Sequence, residues 1–94
     1  DNYTISEVKA KPEFFGKTVE TLDTIDKYHL TLVTIIRKRE KKNLIGKKSI
    51  VKETIGRPSP NTLVFEGDIL VVFGYNNDIE TYCLGQEEYQ KRNY

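Results

Sequence analysis

Ninety-four residues provide for one domain with one core, and a composition of 37% hydrophobic and 31% charged residues argues against a disordered chain. No apolar run approaches the roughly 20 residues of a membrane span, no signal-peptide pattern is present, and the single cysteine excludes an internal disulfide and suits a reducing, cytoplasmic compartment. The net charge of +1 hides a separation: residues 37–57 carry nine Lys/Arg against two Glu, and the remainder carries six basic against twelve acidic groups.

Tyr3 to Ala10 alternates loosely, with β-branched Thr4, Ile5 and Val8, and reads as a strand with one wet face near a sheet edge that Pro12 ends. Phe14-Phe15-Gly16-Lys17 is a turn whose aromatics plug one end of the core. Thr18 to Tyr28 predicts a helix, with Thr18 as N-cap and an apolar stripe of Val19, Leu22 and Ile25. His29, the only histidine, has no cluster of metal-ligating residues near it in sequence. Leu30 to Arg37 is apolar on both faces and predicts an interior strand. It runs into the basic segment, where Leu44-Ile45-Gly46 and Ser49-Ile50-Val51 suggest a ragged hairpin arm.

Arg57-Pro58-Ser59-Pro60-Asn61-Thr62 is a stiff connector, since proline fixes φ and removes a donor. Beyond it, Gly67 to Gly74 places five consecutive apolar residues between two glycines. That predicts the central strand, covered on both faces and closed by a turn over Gly74–Asp78. Asn77 to Leu84 predicts a short helix with Asn77 as cap, Ile79, Tyr82 and Cys83 on its inner face, and Gly85 as terminator. Residues 86–94 read as a polar tail, frayed or forming a short helix, so the domain proper is 1–85. The expected fold is α+β: a small sheet with helices packed on one face. No catalytic triad, metal-ligand spacing or phosphate-binding glycine loop is present, which points to a binding or regulatory module rather than an enzyme.

The motifs in order resemble the C-terminal RCK domain, also called TrkA-C, of regulators of bacterial potassium channels and transporters. Phe15-Gly16-Lys17-Thr18 with Leu22-Asp23, the stretch Tyr28 to Arg37, and Pro58-Ser59-Pro60-Asn61-Thr62 followed by Glu66 to Gly74 carry the resemblance, over about Tyr3 to Leu84. The departure is residues 38–56, longer and more basic than the family's short link. The resemblance implies a homodimeric, ligand-sensing lobe that usually follows a nucleotide-binding lobe. The absence of any methionine, including at position 1, agrees with a domain taken from a longer or processed chain.

In several relatives the resemblance implies cyclic di-AMP between two subunits. On that reading Ile35 and Ile36 line the base pockets, Arg37 serves the phosphates, and Pro58 and Pro60 hold the opposite wall. Arg39 and Lys41 join Arg37 on charge and adjacency alone. Strand alternation puts Ile35 and Arg37 on one face and Ile36 on the other, so one isoleucine has to act through its backbone at an edge-like strand end. Cys83 reads as a small buried hydrophobe. The competing readings are an effector domain of a transcription regulator built on the same lobe, an ion-sensing lobe of the same family, and a nucleic-acid binder using residues 37–48. The last lacks aromatics within its basic run.

Overall fold

In the computed structural model, which describes residues 2–92, the apolar run between Gly67 and Gly74 becomes β4 (Ile69–Tyr75). It lies between β1 (Tyr3–Lys9) and β2 (Thr31–Lys42), antiparallel to both, and β3 (Lys48–Thr54) extends the sheet beyond β2. The strand order is β1-β4-β2-β3. Two helices complete the fold, α1 (Asp23–Lys27) and α2 (Asn76–Arg92). The architecture is the expected α+β sheet with helices on one face, and the apolar run is central as predicted. Among the described residues no helix is long and apolar enough to cross a membrane.

The core lies between the inner sheet face and the helices. Ile35, Val64, Leu70, Val72 and Tyr82 are fully buried, with Val8, Phe14, Leu22, Ile25, Leu30 and Ile79 around them. Cys83 is half-buried against this cluster. Burial pushes the Tyr82 phenol above its ordinary pKa, so it stays a neutral donor to the Lys9 carbonyl at 2.8 Å. Lys11 is buried too, its Nζ 4.6 Å from the Tyr28 ring centre and 4.4 Å from that of Tyr82, donating to the Tyr28 hydroxyl at 3.1 Å. An ammonium over two ring faces joins the loop after β1 to both helical segments.

Several sequence expectations need correction. The central strand is not covered on both faces: Leu70 and Val72 point into the core, while Phe73 and Tyr75 on the other face are exposed. No turn follows Gly74, because β4 continues to Tyr75 and passes directly into α2. The helix predicted over 18–28 is a 3₁₀ turn (Val19–Thr21) and then α1, and Thr18 makes no side-chain cap. The connector competes for its first donors: Val19 N–H bonds the Thr62 carbonyl at 2.8 Å and Glu20 N–H that of Pro60 at 3.0 Å. The apolar stripe survives this, with Leu22 and Ile25 buried. Gly85 does not end α2, which runs on through the predicted tail to Arg92; one glycine costs a helix only about 1 kcal/mol, and the Gln/Glu/Lys/Arg-rich sequence after it favours helix. Residues 93 and 94 of that tail lie outside the described residues.

Gly74 is required by packing rather than by a turn. A Cβ built there would stand 2.6 Å from Leu30 Cδ2, and Leu30 is itself buried. Alanine gains about 0.4–1 kcal/mol through the unfolded chain, but overpacking a core side chain costs about 1–3 kcal/mol. The clash therefore wins. Gly74→Ala is expected to lower stability by roughly 1 kcal/mol or more in urea denaturation, and equal midpoints would show that Leu30 repacks freely.

Candidate ligand site

Where β2 leaves the body of the sheet, Arg37 turns back onto the start of β4. Its Nε donates to Asp68 Oδ1 at 2.9 Å and its Nη2 to Oδ2 at 2.7 Å; Nη2 also donates to the Leu63 carbonyl at 2.9 Å. The guanidinium lies 4.7 Å above the Phe65 ring, and the Phe65 N–H donates to Asp68 Oδ2 at 2.9 Å. The hydrogen bond to Asp68 raises the Arg37 pKa above its ordinary value, with burial working against it. A planar, bidentate pair of this kind fixes geometry as well as charge. Arg37, expected at a phosphate, is thus occupied in fastening the connector to β2.

The other anticipated residues do not form one site. The Ile35 side chain is in the core and lines no open surface, while its carbonyl accepts the Ile55 N–H at 2.9 Å. The edge-like strand end is therefore absent, because residues 48–55, part of the segment that departs from the family, pair along β2. Ile36 is half-buried on the outer sheet face, between Ile69 and Thr54. Arg39 and Lys41 project from the opposite side of the β2–β3 ribbon; Arg39 Nη2 is 3.4 Å from Glu53 Oε2 and Lys41 is exposed. Pro58 is half-buried and Pro60 exposed, the latter using its carbonyl to hold Glu20.

Around Ile36 a different set assembles. Across the outer face, register places Lys9, Ile69, Ile36 and Thr54 in one row. At its end opens a cavity of about 350 Å³, lined by Lys9, Phe15, Lys38, Glu66 and Ile69 together with backbone near Gly67. Gly16, at φ +78°, closes the turn that presents Phe15. The cavity therefore offers two ammonium groups, an aromatic ring and an aliphatic wall. Asp68 also borders it, but Arg37 neutralises that carboxylate, which leaves Glu66 as the opposing charge. The sequence reading named neither Lys9 nor Lys38. Alternation along β2 gave the signal for Lys38, two residues from Ile36 and on its face. Lys9 needed the β1–β4 register.

A second cavity of about 280 Å³ lies between α1 and β2, lined by Val19, Leu22, Ile25, Asp26, Leu30 and Thr31 among others, none of them basic. Among the described residues no three His, Cys, Asp or Glu side chains gather as metal ligands.

Neither a protein-family model nor a curated protein matches the sequence. A solved structure does: the regulator of conductance of K+ (RCK) C domain of the potassium transport protein KtrA, in complex with cyclic diadenosine monophosphate. The two superpose with a TM-score of 0.59 at 28% identity, over 85% of this chain and 79% of that one. The fold is that of an RCK C-terminal domain. Within the RCK C-terminal fold, the β2–β3 arm occupies the stretch where the sequence departs from the family link.

The Arg37 geometry separates a structural role from a ligand role. Removing one partner of a buried ion pair costs roughly 3–5 kcal/mol, and with the Arg37 side chain 26% exposed the lower end applies. Arg37→Ala should cost about 3 kcal/mol by chemical denaturation, while Arg39→Ala, breaking an exposed pair, should stay within about 0.5 kcal/mol of the parent.

Proposed function

We propose that this domain is the ligand-sensing, non-enzymatic part of a bacterial potassium or cation transport system, and that it binds cyclic di-AMP or a close relative at a homodimer interface. The observation that carries the reading is the cavity beside Ile36, at the margin of an apolar sheet face that no described residue is seen to cover. That face presents Tyr3, Ile5, Phe73 and Tyr75 exposed, with Ile36, Ile69 and Val71 half-buried. Tyr3 stacks on Tyr75 and Phe73 at centroid distances of 4.3 and 5.4 Å. An antiparallel sheet with one face on its core ordinarily turns polar residues outward, so an apolar outer face calls for a partner. A second copy of the chain is that partner in this proposal.

A cavity of about 350 Å³ is at the lower end of the roughly 300–1,000 Å³ of ligand sites. It suits one nucleotide half better than a whole dinucleotide. A ligand with two identical halves matches two identical half-sites related by a two-fold axis. In each half-site Phe15 and Ile69 serve the base, and Lys9 and Lys38 serve the phosphate. The complexed KtrA domain supports this choice of ligand. An effector domain of a transcription regulator would use the same site, so the parent chain separates that reading from a transport role. A transcription regulator would join this lobe to a DNA-binding module.

Calorimetry with cyclic di-AMP should give one ligand per two chains, and sedimentation velocity a dimer at tens of micromolar (~10⁻⁵ M, within reach of weak interfaces). Lys9→Ala and Lys38→Ala should each weaken binding by roughly 1–3 kcal/mol. Glu66→Gln should tighten it, since the carboxylate opposes an anionic ligand, and Lys41→Ala should leave it unchanged. Absence of heat from folded protein would sink the dinucleotide reading and favour ion sensing.

A further inference from the structure

Beyond Ile36 β2 pairs, among the described residues, with β3 alone, and the two strands leave the body as a free ribbon to Lys42 and Lys48. Six residues at about 3.3 Å each carry it about 20 Å outward. Its tip is ordered by its own hydrogen bonds. Asn43 Oδ1 accepts the N–H of Ile45 at 3.0 Å and of Lys47 at 2.9 Å; the Asn43 N–H reaches the Lys47 carbonyl and Gly46 N–H the Asn43 carbonyl, both at 3.0 Å. Gly46 takes φ +81°, as the residue after a type I turn in a bulged hairpin does. The two central turn positions belong to Leu44 and Ile45, and both side chains stand almost fully in solvent. Folding does not call for them there, because Asn43 and Gly46 make the turn and polar residues would fill its centre at least as well.

Cations encircle this apolar tip. Lys41, Lys42 and Lys47 adjoin it and form no ion pair among the described residues, whereas the ribbon's two glutamates are engaged further down, Glu40 with Lys48 at 3.7 Å and Glu53 with Arg39. Lys41 and Lys42 point to opposite sides of the ribbon. A ribbon laid in a nucleic-acid groove would concentrate charge on one side and profit from aromatics, and residues 37–57 contain none. Charge on both sides serves an arm that stands end-on against a plane.

We infer that the β2–β3 arm is an anchor for an anionic lipid bilayer, with Leu44 and Ile45 entering the interface and Lys41, Lys42 and Lys47 resting among the headgroups. Aliphatic insertion combined with lysines near a negative surface is the pairing that gives reversible membrane attachment. The inference stands apart from the nucleotide reading, since none of these five residues borders the cavity beside Ile36.

The chain has no tryptophan, so Leu44→Trp gives a single reporter at the tip. Its emission should shift to the blue on mixed phosphatidylcholine–phosphatidylglycerol vesicles and not on phosphatidylcholine alone. Co-sedimentation of the parent chain with the mixed vesicles should weaken roughly tenfold with Ile45→Ser. It should weaken roughly 100-fold with Lys41→Gln, Lys42→Gln and Lys47→Gln together. All the altered side chains are exposed, so folding is unaffected. The inference is overturned by an unshifted spectrum on the anionic vesicles, by triple-variant binding equal to that of the parent, or by duplex DNA binding the parent more tightly than the vesicles do.

Discussion

Asp68 is a carboxylate taken out of water at the entrance to the central strand, and much of the molecule is arranged to satisfy it. Both oxygens accept from Arg37, and Oδ2 also accepts the Phe65 N–H. An unpaired buried charge would cost several kcal/mol, and in the folded domain three separate segments converge on it. They are β2 at Arg37, the connector through Leu63 and Phe65, and the Gly67-Asp68 turn. The convergence fixes the exit of β2, and with it the direction in which the arm leaves. It also brings Glu66 and the Gly67 backbone to the edge of the cavity that holds Lys9 and Lys38.

The sheet divides the work between its faces. The inner face, with Ile35, Leu70 and Val72, supplies the stability of the domain and is closed by the helices. The outer face leaves Tyr3, Ile5, Phe73 and Tyr75 exposed, and the cavity lies at its margin.

The features most legible in the sequence were those with strong local signals. The glycine-bounded apolar run gave β4 its central place, and Ile79 and Tyr82 were read correctly as an inner helical face. The site was less legible because it is a product of register. Lys9 and Ile36 are 27 positions apart and become near neighbours only through Ile69 between them. Arg37 was misleading for a related reason: an arginine in a basic run reads as available, and only the fold shows the buried carboxylate that claims it. The two-sided apolar pattern of β4 overstated its burial, since Phe73 and Tyr75 are exposed: apolar character in a sequence does not say that the face carrying it is covered. The helix at 18–28 failed where distant carbonyls at Pro60 and Thr62 outcompeted local propensity.

One further consequence follows from β3 being the last strand of the sheet. A short edge with Ile50 and Val51 at its middle is a template on which another strand could add, and repeated addition is how sheets grow into fibres. Lys48, Lys52 and Glu53 interrupt that edge at close intervals, and the lysines of one copy repel those of the next. Charge on the arm thus works as a gatekeeper against polymerisation. Any modification that neutralised those lysines would remove a barrier to aggregation while leaving the core of the domain untouched.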